Sequence, residues 1–174
     1  MKGLENTTFL VLYICSNAIA CIMLWASWKQ PRLARLMFFL LFAWASATNW
    51  SYAIRAPQVY LGYAELSFSD PYTQFINGWF SRHITETVGF VATSQALMAV
   101  CMLLKGRLFK MGSIAAIIFL LAIIPLGVGS GFPCTLIMAA ALFVLLVRHD
   151  HDFIWKGKPL NMFKSKWQTN EKLL

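Results

Sequence analysis

Apolar residues in this chain gather into runs of similar length, at about 8–28, 36–54, 84–104, 112–128 and 132–147, divided by short polar or glycine- and proline-rich breaks. A helix rises ~1.5 Å per residue, so ~20 residues cross ~30 Å of hydrocarbon, and the first three runs reach that length comfortably. The last two are shorter and separated only by Gly129, Ser130, Gly131, Phe132 and Pro133. They predict a tight helical hairpin, with Pro125 and the glycines shaping its turn. A re-entrant pair that never fully crosses is the competing arrangement. The expected fold is all-α, a polytopic transmembrane bundle of about five helices.

The one long connection between runs, Arg55 to His83, is not an ordinary polar loop. It carries Tyr60, Tyr63, Phe68, Tyr72, Phe75, Trp79 and Phe80, rings that favour the headgroup layer of a bilayer. Asp70 followed by Pro71 is a helix start, with Asp as N-cap and Pro at the first helical position. Tyr72, Phe75, Ile76, Trp79 and Phe80 then recur at helical spacing, which predicts a short amphipathic interfacial helix over about 71–81. It either anchors the fold at the interface or roofs a binding cavity.

Basic residues turn this pattern into a topology. Lys29, Arg32 and Arg35 follow the first run, Lys105, Arg107 and Lys110 the third, and Arg148, Lys156, Lys158, Lys164, Lys166 and Lys172 the fifth. Only Lys2, Arg55 and Arg82 fall on the other side. Short Lys/Arg-rich loops are retained in the cytoplasm, so the N-terminus is expected outside and a basic tail, 148–174, inside. A re-entrant final pair would leave that tail on the same side, so length and the Pro/Gly turn favour two crossings. Ala18-Ile19-Ala20-Cys21 faintly resembles a lipid-modified cleavage site, but apolar residues continue past the cysteine and no cleavage is expected.

Composition agrees: 59% of residues are hydrophobic, 15% aromatic and 13% charged, more apolar surface than a soluble core of 174 residues needs. The net charge of +8 is then a topology signal plus a tail suited to anionic lipid. The partner expected is the lipid bilayer, with a membrane-protein partner or a second copy beside it, and no nucleic acid.

Polar residues in or near the runs mark where function is expected, because hydrocarbon tolerates them only when they are paired or wet. They converge on the outer half: Asn49, Ser51 and Arg55 at the end of the second run, and His83, Glu86, Thr93 and Gln95 along the third, with Trp79 on the aromatic segment. His83, Glu86, Gly89 and Thr93 share helical spacing and predict an interior-facing stripe. Glu86 suits proton transfer, cation binding or an ion pair with Arg55 or Arg82. An interfacial salt bridge or cap is the plainer role for it. Thr85 and Thr87 suit helix capping.

Other motifs add little chemistry. His149-Asp150-His151-Asp152 carries metal-ligating side chains, but alternate residues do not share a helix face and no metal site is expected. The four cysteines, Cys15, Cys21, Cys101 and Cys134, form no C-x-x-C pair and suit packing. No nucleotide-binding glycine loop, zinc-protease motif or nucleophile elbow occurs, so no catalytic residue or cofactor is identified and enzymatic activity stays open. Gly127-Val128-Gly129-Ser130-Gly131 reads as a turn. Ala43 with Ala47 and Ala92 with Ala96 are the pairs expected to let helices approach closely.

From Arg35 to about Val147 the order of features resembles the DoxX-like family of small bacterial membrane proteins. The shared features are Ala56-Pro57 with an aromatic loop, an Ala-rich helix containing Gln95-Ala96-Leu97, basic Lys105-Gly106-Arg107, and a last helix pair split near Pro125. The resemblance implies a four-helix bundle with one added N-terminal helix, in a bacterial inner (plasma) membrane and associated with membrane redox or quinone-linked systems. It implies no catalytic residue. Three functions follow as expectations: an accessory or subunit protein binding a membrane partner or an apolar ligand such as a quinone or lipid; a proton-coupled transporter using Glu86; or an enzyme acting on a lipid or quinone with Glu86 and His83 as acid and base.

Overall fold

The computed structural model describes Glu5 and residues 7–148, and every element among them is helical. The expected tail and the 149–152 motif lie outside the described residues, apart from Arg148. The first run is helix α1 (Thr7–Lys29), and a single residue, Gln30, separates it from α2 (Pro31–Arg55). Pro31 ends one helix and starts the next, since it lacks a donor and its fixed φ suits a first turn. A 3₁₀ turn (Pro57–Gly62), α3 (Tyr63–Leu66), α4 (Asp70–Phe75) and a π-helical turn (Ile76–Phe80) make up the aromatic connection. Ser69, rather than Asp70, occupies the N-cap of α4, and Asp70 is already helical. The chain continues through α5 (Ile84–Leu103), α6 (Gly106–Ala122), a 3₁₀ turn (Ile124–Ser130) and α7 (Cys134–Arg148).

The long helices close into a ring in which α1 lies beside α2, α2 beside α5, α5 beside α6, α6 beside α7, and α7 beside α1. Directions follow from paired contacts. Ser46 and Thr85 bond across to Ala92 and Ala53, which makes α2 and α5 antiparallel, while Asn17 reaches Gly131 and Trp28 meets Arg148, which makes α1 and α7 parallel. The centre is packed with Met23, Phe38, Phe42, Met102, Phe109, Leu142 and Leu145. A smaller cluster of Ala53, Ile84 and Val88 lies under the aromatic connection.

Among the described residues two helices are long and apolar enough to cross a membrane, α1 with 23 residues and α5 with 20, and a third span results if α6 and the 3₁₀ turn after it are taken together. The fourth run differs most from expectation. Its helix begins at Gly106, so Arg107 and Lys110 lie in its first turns, and it stops at Ala122, where the axis bends by 83° into the 3₁₀ turn ahead of α7. Pro125 explains the break, since proline cannot continue an i→i−4 ladder.

Small residues set the closest helix approach, though not the pairs expected. Ala92 is fully buried and accepts the Ser46 hydroxyl at its carbonyl, but Ala47 and Ala96 are exposed. Gly112 of α6 instead rests against Cys101 of α5, leaving no room for a Cβ.

One buried charge fastens the end of the ring that carries most of the cations. Arg35, 5% exposed, donates through Nε to the Met102 carbonyl at 2.9 Å and through its terminal nitrogen to the Leu104 carbonyl. Those carbonyls are among the ones a helix leaves unsatisfied at its C-terminus, where the helix dipole also favours a cation. The guanidinium lies 4.2 Å from the centre of the Phe109 ring, so α2, α5 and α6 meet on one side chain.

Candidate functional site

The expected polar residues of the outer half divide into two groups. Asn49 and Gln95 are brought together: the Asn49 Nδ2 amide donates to Gln95 Oε1 at 2.8 Å across the α2–α5 seam. Tyr60, from the connection above, donates its hydroxyl to Asn49 Oδ1 at 2.8 Å. Burial pushes the Tyr60 phenol up to about 12, with Tyr63 and Tyr52 adding to the shift, so it remains a donor through neutral pH. The chain Tyr60–Asn49–Gln95, with Ser46 to Ala92 one turn deeper, is a polar ladder along the α2–α5 seam, buried at Ser46 and Gln95 and partly exposed at Asn49 and Tyr60. Tyr60 was legible only as one ring of the aromatic segment. Nothing in its spacing pointed to Asn49.

The remaining residues do not converge. Glu86 and Thr93 are exposed on α5, and only Gly89 of the expected stripe faces inward, covered by the Trp50 ring. The Thr93 hydroxyl is satisfied by the Gly89 carbonyl at 2.8 Å. Arg55 is exposed as well, and among the described residues neither it nor Arg82 pairs with Glu86. His83 caps α5, its carbonyl accepting the Thr87 hydroxyl. Its ring stacks on Trp79 at 4.4 Å, and Nδ1 lies 3.0 Å from the Trp79 carbonyl, a partner that can only accept. The Nδ1 proton is therefore held there, and a neutral His83 presents Nε2 as an acceptor. Phe75 stacks beneath Trp79, which makes Phe75–Trp79–His83 a half-exposed aromatic ladder running into the first turn of α5.

Sequence reasoning read the 127–131 glycines as a turn and missed what they receive. The aromatic connection is latched onto that turn. The Ser67 hydroxyl donates to the Pro125 carbonyl at 2.8 Å, Phe68 N donates to the same oxygen at 3.3 Å, and the Tyr72 hydroxyl donates to Ala122. Gly127, at φ +63°, faces the Leu66 carbonyl, where a Cβ would stand 2.6 Å from the oxygen, and Gly129 makes room for the Tyr63 ring. Glycine is required twice over at 127, by conformation and by space. Phe68 meets Phe132 edge to face across the same junction.

Between the two arms of this roof lies an open cleft of about 430 Å³, lined by Leu61, Gly62, Ala64, Glu65, Thr73 and Asn77. The Thr73 hydroxyl is engaged with the Ala64 and Ser69 carbonyls, which ties α4 to α3. Glu65 and Asn77 are exposed beside apolar walls.

No protein-family model matches this chain, and no match was found among curated proteins or solved structures. Among the described residues no cluster of three His, Cys, Asp or Glu is placed to hold a metal ion.

Proposed function

We propose that this is a small integral membrane protein with five spans, N-terminus outside and C-terminus inside, acting as an accessory or subunit protein. It binds a membrane partner or an apolar ligand such as a quinone or lipid at the outer end of the bundle. The observation that carries the reading is the roof: residues 57–80 are latched across the 124–132 turn and leave a cleft with apolar walls and two unengaged polar side chains, Glu65 and Asn77. Such lining suits an amphiphile, with carbon against Leu61 and Ala64 and a polar head at Glu65 or Asn77. The five-helix ring and the grouping of cations at one end support the crossing count, with the α6 bend lying at the outer mouth. A DoxX-like kinship would make α2, α5, α6 and α7 the common core and α1 the addition.

Mass spectrometry of the purified protein and of what accompanies it tests this reading. A bound quinone or lipid lost on Leu61→Trp, which fills the cleft, or a membrane protein that stops co-purifying with that variant, is the expected result. A preparation carrying neither overturns the binding role. Single cysteines at Gly62 and Lys110, labelled by an impermeant reagent from opposite sides of intact vesicles, test the orientation.

A further inference from the structure

Charge on this molecule is sorted by end, and one corner of the cationic end is built for a specific kind of lipid. The described carboxylates, Glu5, Glu65, Asp70 and Glu86, all lie at the outer end with only Arg55 and Arg82 among the described cations, while Lys29, Arg32, Arg35, Lys105, Arg107, Lys110 and Arg148 surround the other. These cations differ in what they do. Arg35 is committed to the Met102 and Leu104 carbonyls. Arg148 of α7 instead lies over the Trp28 ring of α1, 3.6 Å from its centre, and is exposed. Stacking leaves the N–H edge of a guanidinium pointing outward, in the fork that matches two oxygens of a phosphate. Lys29, the next residue along α1, is exposed at the same end.

We propose that the α1–α7 corner formed by Trp28, Lys29 and Arg148 binds the phosphodiester headgroup of an anionic phospholipid. This rests on the membrane reading above but concerns the opposite end of the bundle from the outer cleft. A lipid is favoured over free phosphate because apolar surface continues directly from the cations along both helices. On α1 Trp25 lies one turn from Trp28 and is half exposed, and on α7 Val144, one turn before Arg148, is partly exposed. Acyl chains would lie along these residues with the phosphate at Arg148 and Lys29, and the Trp28 ring sits at the level where indoles favour the headgroup layer. Each cation near an anionic surface is worth ~1 kcal/mol, about fivefold in binding.

Native mass spectrometry of the full chain in detergent, titrated with phosphatidylglycerol or phosphatidylcholine, tests the proposal. Wild type is expected to retain phosphatidylglycerol in preference. Lys29→Gln and Arg148→Gln should each lower that retention about fivefold, and Trp28→Leu should lower it by removing the platform. Lys110→Gln, on α6, should leave it unchanged. Equal retention of both lipids, or equal loss in all four variants, overturns the site. Displacement of phosphatidylglycerol by millimolar inorganic phosphate would show a phosphate site and likewise overturn the lipid assignment. A chain that stays soluble without detergent and retains neither lipid fails the membrane reading itself.

Discussion

Asn49 on α2 and Gln95 on α5 are joined side chain to side chain at 2.8 Å, between helices that face each other for most of their length. Such a bond gives two helices a fixed register where apolar contact alone would let them slide. Replacing Gln95, itself buried, with Leu removes the acceptor and leaves the Asn49 amide short of a partner, a loss of about 1–3 kcal/mol. The coupling between the two residues is smaller, about 0.6 kcal/mol with ~1.7 as a ceiling, because each finds other partners when the helices separate. A double-mutant cycle of Asn49→Ala and Gln95→Leu, read by unfolding in mixed micelles, should return a coupling in that range. Additive effects would mean the bond does not contribute to stability.

Arg35 should be the most costly polar residue to lose. Its two charge-assisted bonds to the end of α5 contribute ~1.5–3 kcal/mol each, and the Phe109 stacking adds to them. Arg35→Gln is therefore expected to destabilise the bundle by at least ~2 kcal/mol. Arg35→Lys should restore little, since an ammonium offers neither the planar fork nor the stacked face. Full recovery in the Lys variant, by thermal unfolding in detergent, would reduce the residue's role to its charge.

Helix extents were largely legible because length and apolarity decide them: α1 and α5 lie within a residue or two of the runs that predicted them. The meeting of Asn49 with Gln95 was partly legible, as polar groups at similar depth in neighbouring runs must find partners. Facing was not. Glu86, Gly89 and Thr93 share a helical stripe in sequence, yet only Gly89 points inward, because Trp50 of α2 covers that face and Thr93 needs no partner beyond its own helix. The start of α6 was hidden as well. Arg107 and Lys110 look like loop residues by charge, although long cationic side chains at a helix end can extend toward water while the backbone stays helical.

The latch between the roof and the α6–α7 turn gives a prediction about mobility more than about global stability. Gly127→Ala places a methyl 2.6 Å from the Leu66 carbonyl at a φ of +63° that alanine rarely adopts. Backbone strain of that kind costs ~1–3 kcal/mol, and it falls on the junction rather than on the ring of helices. Amide exchange over residues 63–73 should rise by one or two orders of magnitude, the factor ~1–3 kcal/mol allows, while α2 and α5 stay protected. Gly62→Ala, with nothing within 4 Å of the added methyl, is the matched control. An unchanged roof in Gly127→Ala would mean that Ser67 and Tyr72 hold it without the glycine.

Tyr60 makes the roof and the α2–α5 ladder sensitive to alkali, and the direction follows from its protonation. Its phenol is pushed from 10.0 up to about 12 by burial first and by Tyr63 and Tyr52 second, so the folded chain holds this proton more tightly than the unfolded one. Stability from this group is thus fully present below pH 10 and is lost as pH rises through about 12. Deprotonation removes the donor to Asn49 Oδ1 and sets a phenolate against a carbonyl oxygen. Tyr60→Phe should lower stability at pH 8 by about 0.5–1.5 kcal/mol, the contribution of one hydrogen bond, while flattening the decline above pH 10. Unfolding midpoints for wild type and Tyr60→Phe across this range decide the matter: parallel curves would assign the alkaline sensitivity to Tyr63, whose phenol is also raised by burial, and not to the Tyr60–Asn49 bond.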